Sequence, residues 1–230
     1  MTLLIGAKGR SHMVVASDGR STSVLNGVSS VETDHLRKIF DAPGCPLAIA
    51  AHGENILLGE RVGERIRRFF EGYAEALGGM SIRQVATNFL EQCDEDVQET
   101  FRKVPDAKMT AFWFCGFSPR SDRPELLELV WLRAGEGGPS LQLLEHGDLV
   151  IGGSGAAYIE EFLSKPVEPD LGWERLAGEG PEYATRLVDR LYEIAENRRD
   201  AKQGEEFGGD RGLLTISKGG CRWRGAPLAD

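Results

Sequence analysis

The chain has 230 residues, of which 41% are hydrophobic and 27% charged, and its formal net charge is −9. This length suffices for one well-buried core, and we expect a single domain over residues 1–230. The excess of acidic residues argues against a nucleic-acid partner. The sequence lacks a leader pattern and an apolar run of the roughly 20 residues that span a bilayer. We therefore expect a soluble, cytoplasmic protein with no membrane contact.

Residue types that hold metals and nucleotides occur without the spacing that these ligands need. The four cysteines include no CxxC pair, and the four histidines show no HExxH spacing. Walker and GxGxxG loops are also missing from the sequence. We expect reduced thiols, no metal site and no cofactor.

Short apolar runs predict strands in the first part of the chain. Residues 2–7 and 13–17 flank a turn-prone segment and predict a hairpin, which Asp18-Gly19 closes. Residues 46–51 predict a further buried strand. Apolar residues then recur at helical spacing from Glu54 to Leu77 and predict one long amphipathic helix. Ser81 and Gln84 have the form of a capping box that opens a second helix.

Strands return in the second half of the chain and are followed by a further helical region. Runs at 109–115, 126–132, 141–144 and 149–151 predict strands, a short helix follows the glycine-rich 152–155, and Pro181 suits the first turn of another helix. Residues 213–216 predict a last strand. This order predicts an α+β fold, a four-layer αββα sandwich of two antiparallel sheets flanked by helices.

The second residue is a candidate nucleophile. Removal of Met1 would leave Thr2 at the chain terminus, where it carries a hydroxyl and an α-amino group of pKa about 7.7–8.0 that can accept the hydroxyl proton. Many chains have a small residue after methionine, so Thr2 alone is a weak signal.

Four segments strengthen that signal by their order. Thr2 to Gly6, Val14 to Thr22, Arg37 to Ile39 and Ile151 to Gly155 resemble successive signatures of proteasome-type β-subunits, which are N-terminal nucleophile hydrolases. The resemblance covers nearly the whole chain. The bacterial single-subunit types include the HslV peptidase, the Anbu-type ancestral subunit and the beta-proteobacterial proteasome homologue. Among these, the chain is most similar to the last.

The resemblance implies a threonine-type endopeptidase of the N-terminal nucleophile hydrolase fold. It implies stacked rings of identical subunits that hydrolyse polypeptide substrates in a closed chamber. Thr2 would attack the peptide carbonyl, Lys38 would favour the ionised hydroxyl, Asp18 would keep Lys38 charged, and Ser154 would relay protons. Read locally, the same residues are also typical of a hairpin turn at Asp18, a surface lysine at Lys38 and a helix N-cap at Ser154.

The remaining site residues follow from the same resemblance. A backbone N–H at His52 or Gly53 would bind the oxyanion, with His52 as the aligned donor and its imidazole near the substrate channel. A roomy apolar pocket for the substrate side chain would involve four residues, namely Leu36, Phe40, Ala50 and, at its rim, Glu54.

Two departures from the family pattern concern the catalytic groups. His52 stands where the family usually has the first glycine of a pair. A late aspartate and serine that support the amine should fall near Glu205 and Gly208, and neither is matched. Glu205 or Glu206 can replace the aspartate with a longer arm, whereas nothing replaces the serine.

Two other functions fit the same pattern. N-terminal nucleophile chemistry also serves amidases that act on small metabolites. A ring subunit with weak catalysis and a structural role is the third alternative, because Gly208 stands where a serine is expected. The sequence identifies no ATPase partner and fixes no ring number.

Overall fold

The computed structural model describes residues 2–25, 28–133, 139–160, 170–201 and 207–225. Over these residues the chain is mixed α+β and is built mainly from antiparallel sheets. The α-helices there are α1 (Val62–Gly72), α2 (Ile82–Lys103) and α3 (Pro181–Ala201), and 3₁₀-helices span Leu77–Gly79, Ser154–Tyr158 and Trp173–Gly178. The strands are β1 (Leu4–Lys8), β2 (His12–Asp18), β3 (Ser21–Leu25), β4 (Val28–Thr33), β5 (Ile39–Asp41), β6 (Leu47–Gly53), β7 (Ile56–Leu57), β8 (Glu60–Arg61), β9 (Met109–Gly116), β10 (Glu125–Arg133), β11 (Pro139–Glu145), β12 (Leu149–Gly152), β13 (Arg211–Ser217) and β14 (Gly220–Trp223).

Most of the strands belong to two five-stranded antiparallel sheets. Sheet I has the order β12-β1-β2-β13-β14, and sheet II has the order β11-β10-β9-β6-β5. The hairpin predicted at the start of the chain is present as β1 and β2. Strand β1 begins at Leu4, so Thr2 lies just ahead of it.

Alternate side chains of the strands belong to different cores. In β9, Phe112 packs in a core with α1 and α2, whereas Trp113 packs in a core that also contains side chains of sheet I. In β1, Ile5 packs against α3, and Leu4 joins the core shared by the two sheets. The alternation follows from the two-residue period of a strand. Full burial of one such side chain contributes about 1.5–3 kcal/mol.

Helix α2 begins where the sequence predicts. The Ser81 hydroxyl accepts from the N–H of Gln84 at 3.2 Å, and the Gln84 side chain accepts from the N–H of Ser81 at 2.8 Å. This reciprocal pair is the predicted capping box. Helix α3 begins at Pro181, also as predicted.

The prediction of one helix from Glu54 to Leu77 is wrong at both ends. Residues 56–61 form the hairpin β7–β8 instead, and α1 spans only Val62–Gly72. Leu58 and Gly59 both have positive φ, 50° and 84°, which is the requirement of a tight two-residue hairpin turn. The N–H of Leu58 also donates to the Thr100 hydroxyl of α2 at 3.1 Å, which anchors the turn.

Besides β7 and β8, four strands have no counterpart among the elements predicted from the sequence. These are β3 and β4, which pair with each other, the three-residue β5, and β14 at the edge of sheet I. Short or edge strands bury too few side chains to give a clear alternating pattern. None of the helices in the described part of the chain has the length and apolar run needed to cross a bilayer.

Candidate active site

Thr2 lies in a buried position between sheet I and the turn after β12. Its N–H donates to the Ser154 hydroxyl at 3.3 Å, and its carbonyl oxygen accepts from the N–H of Gly155 at 3.1 Å. Strands β1 and β12 pair with Leu4 opposite Gly152, and this register carries the Ser154 turn to Thr2. Two residues 152 positions apart are thereby in contact.

The turn tolerates only glycine at the point nearest Thr2. Gly153 has φ of +83°, and a Cβ there would lie 2.1 Å from the carbonyl oxygen of Thr2. Both the left-handed backbone and the close approach exclude a larger residue. The glycine-rich segment therefore places Ser154 against the N-terminal residues.

Asp18, at the end of β2, joins several segments through its carboxylate. Its Oδ1 accepts from the N–H of Leu3 and from Nζ of Lys38, both at 2.8 Å. Its Oδ2 accepts from the N–H groups of Arg20 at 3.2 Å and Gly208 at 3.1 Å. Asp18 is 1% exposed, so these four donors replace the water that a buried carboxylate would otherwise need.

Lys38 immediately precedes β5 and is buried beside Asp18. Its Nζ donates to the Asp18 carboxylate and, at 2.6 Å, to the carbonyl oxygen of Arg20. Burial lowers the pKa of Lys38, and the charge and hydrogen bond of Asp18 act in the opposite direction. The two groups form a buried ion pair, in which each charge depends on the other.

A cleft opens at Thr2 and is lined by residues of β3, of the end of β6 and of the segments that precede β1 and β5. Six of the residues proposed from the sequence line it, namely Thr2, Leu36, Lys38, His52, Gly53 and Glu54. Burial raises the pKa of Glu54. Arg20 also lines the cleft, and its guanidinium is fixed by two hydrogen bonds to Asp34, the shorter of 2.7 Å.

The end of β6 presents a second backbone N–H on the Lys38 side, besides that of Ala51, which is bonded to Lys38. The N–H of Ala51 donates to the carbonyl oxygen of Lys38 at 2.9 Å, and the N–H of Glu54 donates to that of Met109 at 3.0 Å. Because successive N–H groups of a strand alternate in direction, the N–H of Gly53 faces the Lys38 side and that of His52 faces β9. Of the two N–H groups expected from the sequence as oxyanion donors, that of Gly53 therefore faces the Lys38 side, and that of His52 does not.

The sequence analysis expects the imidazole of His52 near the substrate channel, but the ring does not lie in the cleft. Its side chain is 3% exposed, and its Nε2 lies 3.2 Å from Oε1 of Glu128 in the layer between the sheets. The even-numbered positions of β6 face this layer, since Ala50 packs there as well. The backbone of His52 borders the cleft while its ring belongs to the core.

Two of the residues proposed for the substrate pocket lie outside the Thr2 cleft. Ala50 is fully buried between the sheets. Phe40 lines a separate groove of ≈ 870 Å³, compared with ≈ 370 Å³ for the cleft, and also a depression of ≈ 410 Å³ that shares Leu36 and Asn55 with the cleft. Arg37, Arg61 and Arg67 line that depression, so its wall is charged as well as apolar, unlike the expected pocket.

The late part of the chain reaches the site through Gly208. Glu205 and Glu206 lie outside the described residues. The N–H of Gly208 donates to Oδ2 of Asp18, so this segment supports the carboxylate through its backbone.

Tyr192 is a site neighbour that sequence reasoning missed. Tyr192 belongs to α3, and its side chain is buried. Its hydroxyl donates to the carbonyl oxygen of Leu3 at 2.5 Å. The helical spacing of α3 could have indicated its burial, because Tyr192 follows Leu191 on the apolar side, but not its partner.

In the described ranges, no group of three or more histidine, cysteine or acidic side chains is arranged to hold a metal ion. Comparison with models of known protein families found no match, and a search of curated proteins found none.

Proposed function

We propose that the chain is a threonine-type peptidase whose nucleophile is Thr2 after removal of Met1. The observation that carries the proposal is that Thr2 and Lys38 line one cleft, while Ser154, 152 positions from Thr2, binds the Thr2 nitrogen and Asp18 binds Lys38. A buried ion pair beside a hydroxyl at the chain start is a costly arrangement, and such arrangements cluster at catalytic sites.

We propose the four-layer αββα fold of N-terminal nucleophile hydrolases for this chain. Two contacts support it: sheet II packs against α1 and α2, and sheet I packs against α3. A third core with side chains of both sheets supports their face-to-face stacking.

In the proposed reaction, the Thr2 hydroxyl oxygen attacks the carbonyl carbon of the scissile bond, and its proton passes to the α-amine of Thr2. The N–H of Gly53 stabilises the oxyanion, and loss of such a donor typically lowers kcat about 10²–10³-fold. The C–N bond then breaks, and the leaving amine takes the proton. Water, deprotonated by the α-amine of Thr2, hydrolyses the resulting ester, and the amine returns that proton to the Thr2 oxygen to restore the hydroxyl.

Lys38 and Ser154 assist these proton transfers. The Lys38 ammonium, held by Asp18, lowers the energy of the ionised Thr2 hydroxyl. The Ser154 hydroxyl accepts from the Thr2 nitrogen and can donate in turn, so it relays protons without the late serine of the family.

The test is turnover of fluorogenic peptides by the wild type and by Thr2→Ala, with Thr87→Ala as the matched control. Thr87 lies on the exposed face of α2. We expect Thr2→Ala to reduce turnover below detection and Thr87→Ala to leave it unchanged. Full activity of Thr2→Ala would contradict the proposal, and turnover of small amides but not of peptides would favour a metabolite amidase.

The proposed assembly is a homo-oligomeric double ring in the cytoplasm that encloses its polypeptide substrates. Sedimentation velocity should give a mass that is a large multiple of the 25.2 kDa chain, and negative-stain imaging should show stacked rings. A monomer or dimer in both measurements would count against enclosure of the substrate.

A further inference from the structure

A row of polar side chains crosses the inner face of sheet II behind the cleft. His52 lies on β6, Trp113 on β9, Glu128 on β10 and His146 just after β11. The Glu128 Oε1 accepts from Nε1 of Trp113 at 3.0 Å and from Nε2 of His52 at 3.2 Å. Its Oε2 accepts from Nε2 of His146 at 2.8 Å. One buried carboxylate therefore holds three rings.

The charge of Glu128 fixes which ring nitrogens carry hydrogen. Burial alone raises the pKa of Glu128, but the hydrogen bonds from His146, His52 and Trp113 outweigh it and lower the pKa to about 2. An ionised carboxylate only accepts hydrogen bonds, so both histidines donate from Nε2. The Nδ1 of His52 is buried and has no hydrogen-bond partner within the described ranges. Glu128 therefore provides the polar contact that orients this ring.

The His52 ring lies between the two halves of the candidate site. A Cβ at Gly152 would lie 3.2 Å from Nε2 of His52, so the ring packs closely against the end of β12. Gly152 directly precedes Gly153 and Ser154, which contact Thr2. On the other side, the backbone of His52 continues into Gly53 at the cleft. The His52 ring and the Gly53 N–H therefore belong to neighbouring residues at the end of β6.

We propose that Glu128 is a positioning residue for the peptidase reaction, acting through the His52 imidazole to set the Gly53 N–H relative to Thr2. The inference rests on the proposed function. Glu128 contacts no substrate in this scheme. A glutamine there would have one accepting oxygen for the three donors and an NH2 group in place of the other, so the His52 ring would lose its single fixed orientation.

The first experiment compares Glu128→Gln with the wild type, and Glu125→Gln serves as the matched control on the same strand. We expect Glu128→Gln to lower kcat about tenfold and to leave KM within about twofold, because the oxyanion contact acts in the transition state. Glu125→Gln should change neither. A purely structural role would lower the melting temperature without this split between kcat and KM, once active sites are counted with a covalent inhibitor.

The second experiment tests whether Glu128 acts through His52. In the His52→Ala background, Glu128→Gln should lower kcat less than twofold further, because the ring that it orients is gone. Multiplicative losses in the double variant would overturn the inference. If circular dichroism shows that Glu128→Gln does not fold, Glu128→Asp takes its place and should show the same loss of kcat, since it withdraws the carboxylate by one methylene.

The outcomes separate this inference from the proposed function. Wild type that neither cleaves peptides nor reacts at Thr2 would refute the peptidase and the inference together. Active wild type with an unchanged Glu128 variant would refute the inference alone.

Discussion

At the scale of single residues, the Asp18 carboxylate holds three parts of the chain together at the candidate site. It accepts from the N–H of Leu3 at the chain start, from Lys38 before β5 and from Gly208 near the chain end. These contacts make Asp18 a structural centre as well as the counter-ion of Lys38.

Asp18→Ala should lower the free energy of unfolding by about 3–5 kcal/mol, because it leaves the Lys38 ammonium buried and unpaired. Urea denaturation at fixed protein concentration measures this change. The double variant Asp18→Ala/Lys38→Met should recover part of the loss, since it removes the unpaired charge. A double variant less stable than Asp18→Ala would argue against a buried ion pair here.

Gly153→Ala should reduce peptidase activity at least about 10²-fold. The added Cβ would lie 2.1 Å from the carbonyl oxygen of Thr2, so Thr2 would have to move. Gly44→Ala is the matched control: Gly44 has φ of +71°, but a Cβ there meets nothing within 4 Å. Both variants share the cost of a left-handed alanine, of roughly 1–2 kcal/mol, so only the contact with Thr2 separates them. Equal activities of the two variants would show that the contact is unimportant.

Local patterns alone could not place these residues together. Nothing near Thr2 in the sequence indicates Ser154, 152 positions away, and the expectation depended on the order of four motifs. The N–H of Gly208 and the hydroxyl of Tyr192 were missed because their partners are backbone or buried atoms of distant segments. Side-chain chemistry is readable from sequence more easily than backbone contacts are.

At the scale of elements, the ends of the helices separate what local chemistry determines from what it does not. The start of α2 follows from Ser81 and Gln84, whose contacts lie within one turn. The start of α1 does not, because Leu58 lies at helical spacing from Val62, whereas residues 56–61 form a hairpin that is bonded to Thr100 of α2. A tertiary hydrogen bond overrides the local pattern there.

Ser81→Ala should lower the free energy of unfolding by about 1 kcal/mol, because the N–H of Gln84 loses its acceptor. Thr87→Ala makes the same kind of change inside α2, where alanine favours the helix, and should be neutral or slightly stabilising. Chemical denaturation of both variants measures the difference. Equal effects would mean that the cap contributes nothing.

Because of Glu128 in the polar row on sheet II, the free energy of unfolding should depend on pH in the acidic range. The pKa of Glu128 falls from 4.5 to about 2 on folding. Its contribution, on the order of 3 kcal/mol, is therefore complete above about pH 4.5 and is lost as the pH falls towards 2. Urea denaturation at pH 6 and pH 3 should show about 2 kcal/mol more loss in the wild type than in Glu128→Gln. Equal losses would show that the carboxylate is not stabilised as described.

At the scale of the whole molecule, the candidate site depends on both sheets at once. Asp18 ends β2 of sheet I, Thr2 lies just ahead of β1 of the same sheet, and sheet II supplies the end of β6 with Gly53. The core shared by the sheets, which includes Leu4 and Trp113, sets the distance between these groups. The order of strands and helices in the sequence anticipates the antiparallel sheets, whereas their register and the charged wall near Phe40 emerge only from packing.

The most direct test is mass spectrometry of the purified protein before and after treatment with a threonine-directed epoxyketone, followed by peptide mapping. We expect the untreated chain to lack Met1 and the treated chain to gain one inhibitor mass on Thr2, because the reagent needs both the hydroxyl and the free α-amine. Lys38→Met should gain the adduct more slowly. A chain that lacks Met1 and remains unmodified at Thr2 would contradict the assignment of Thr2 as the nucleophile.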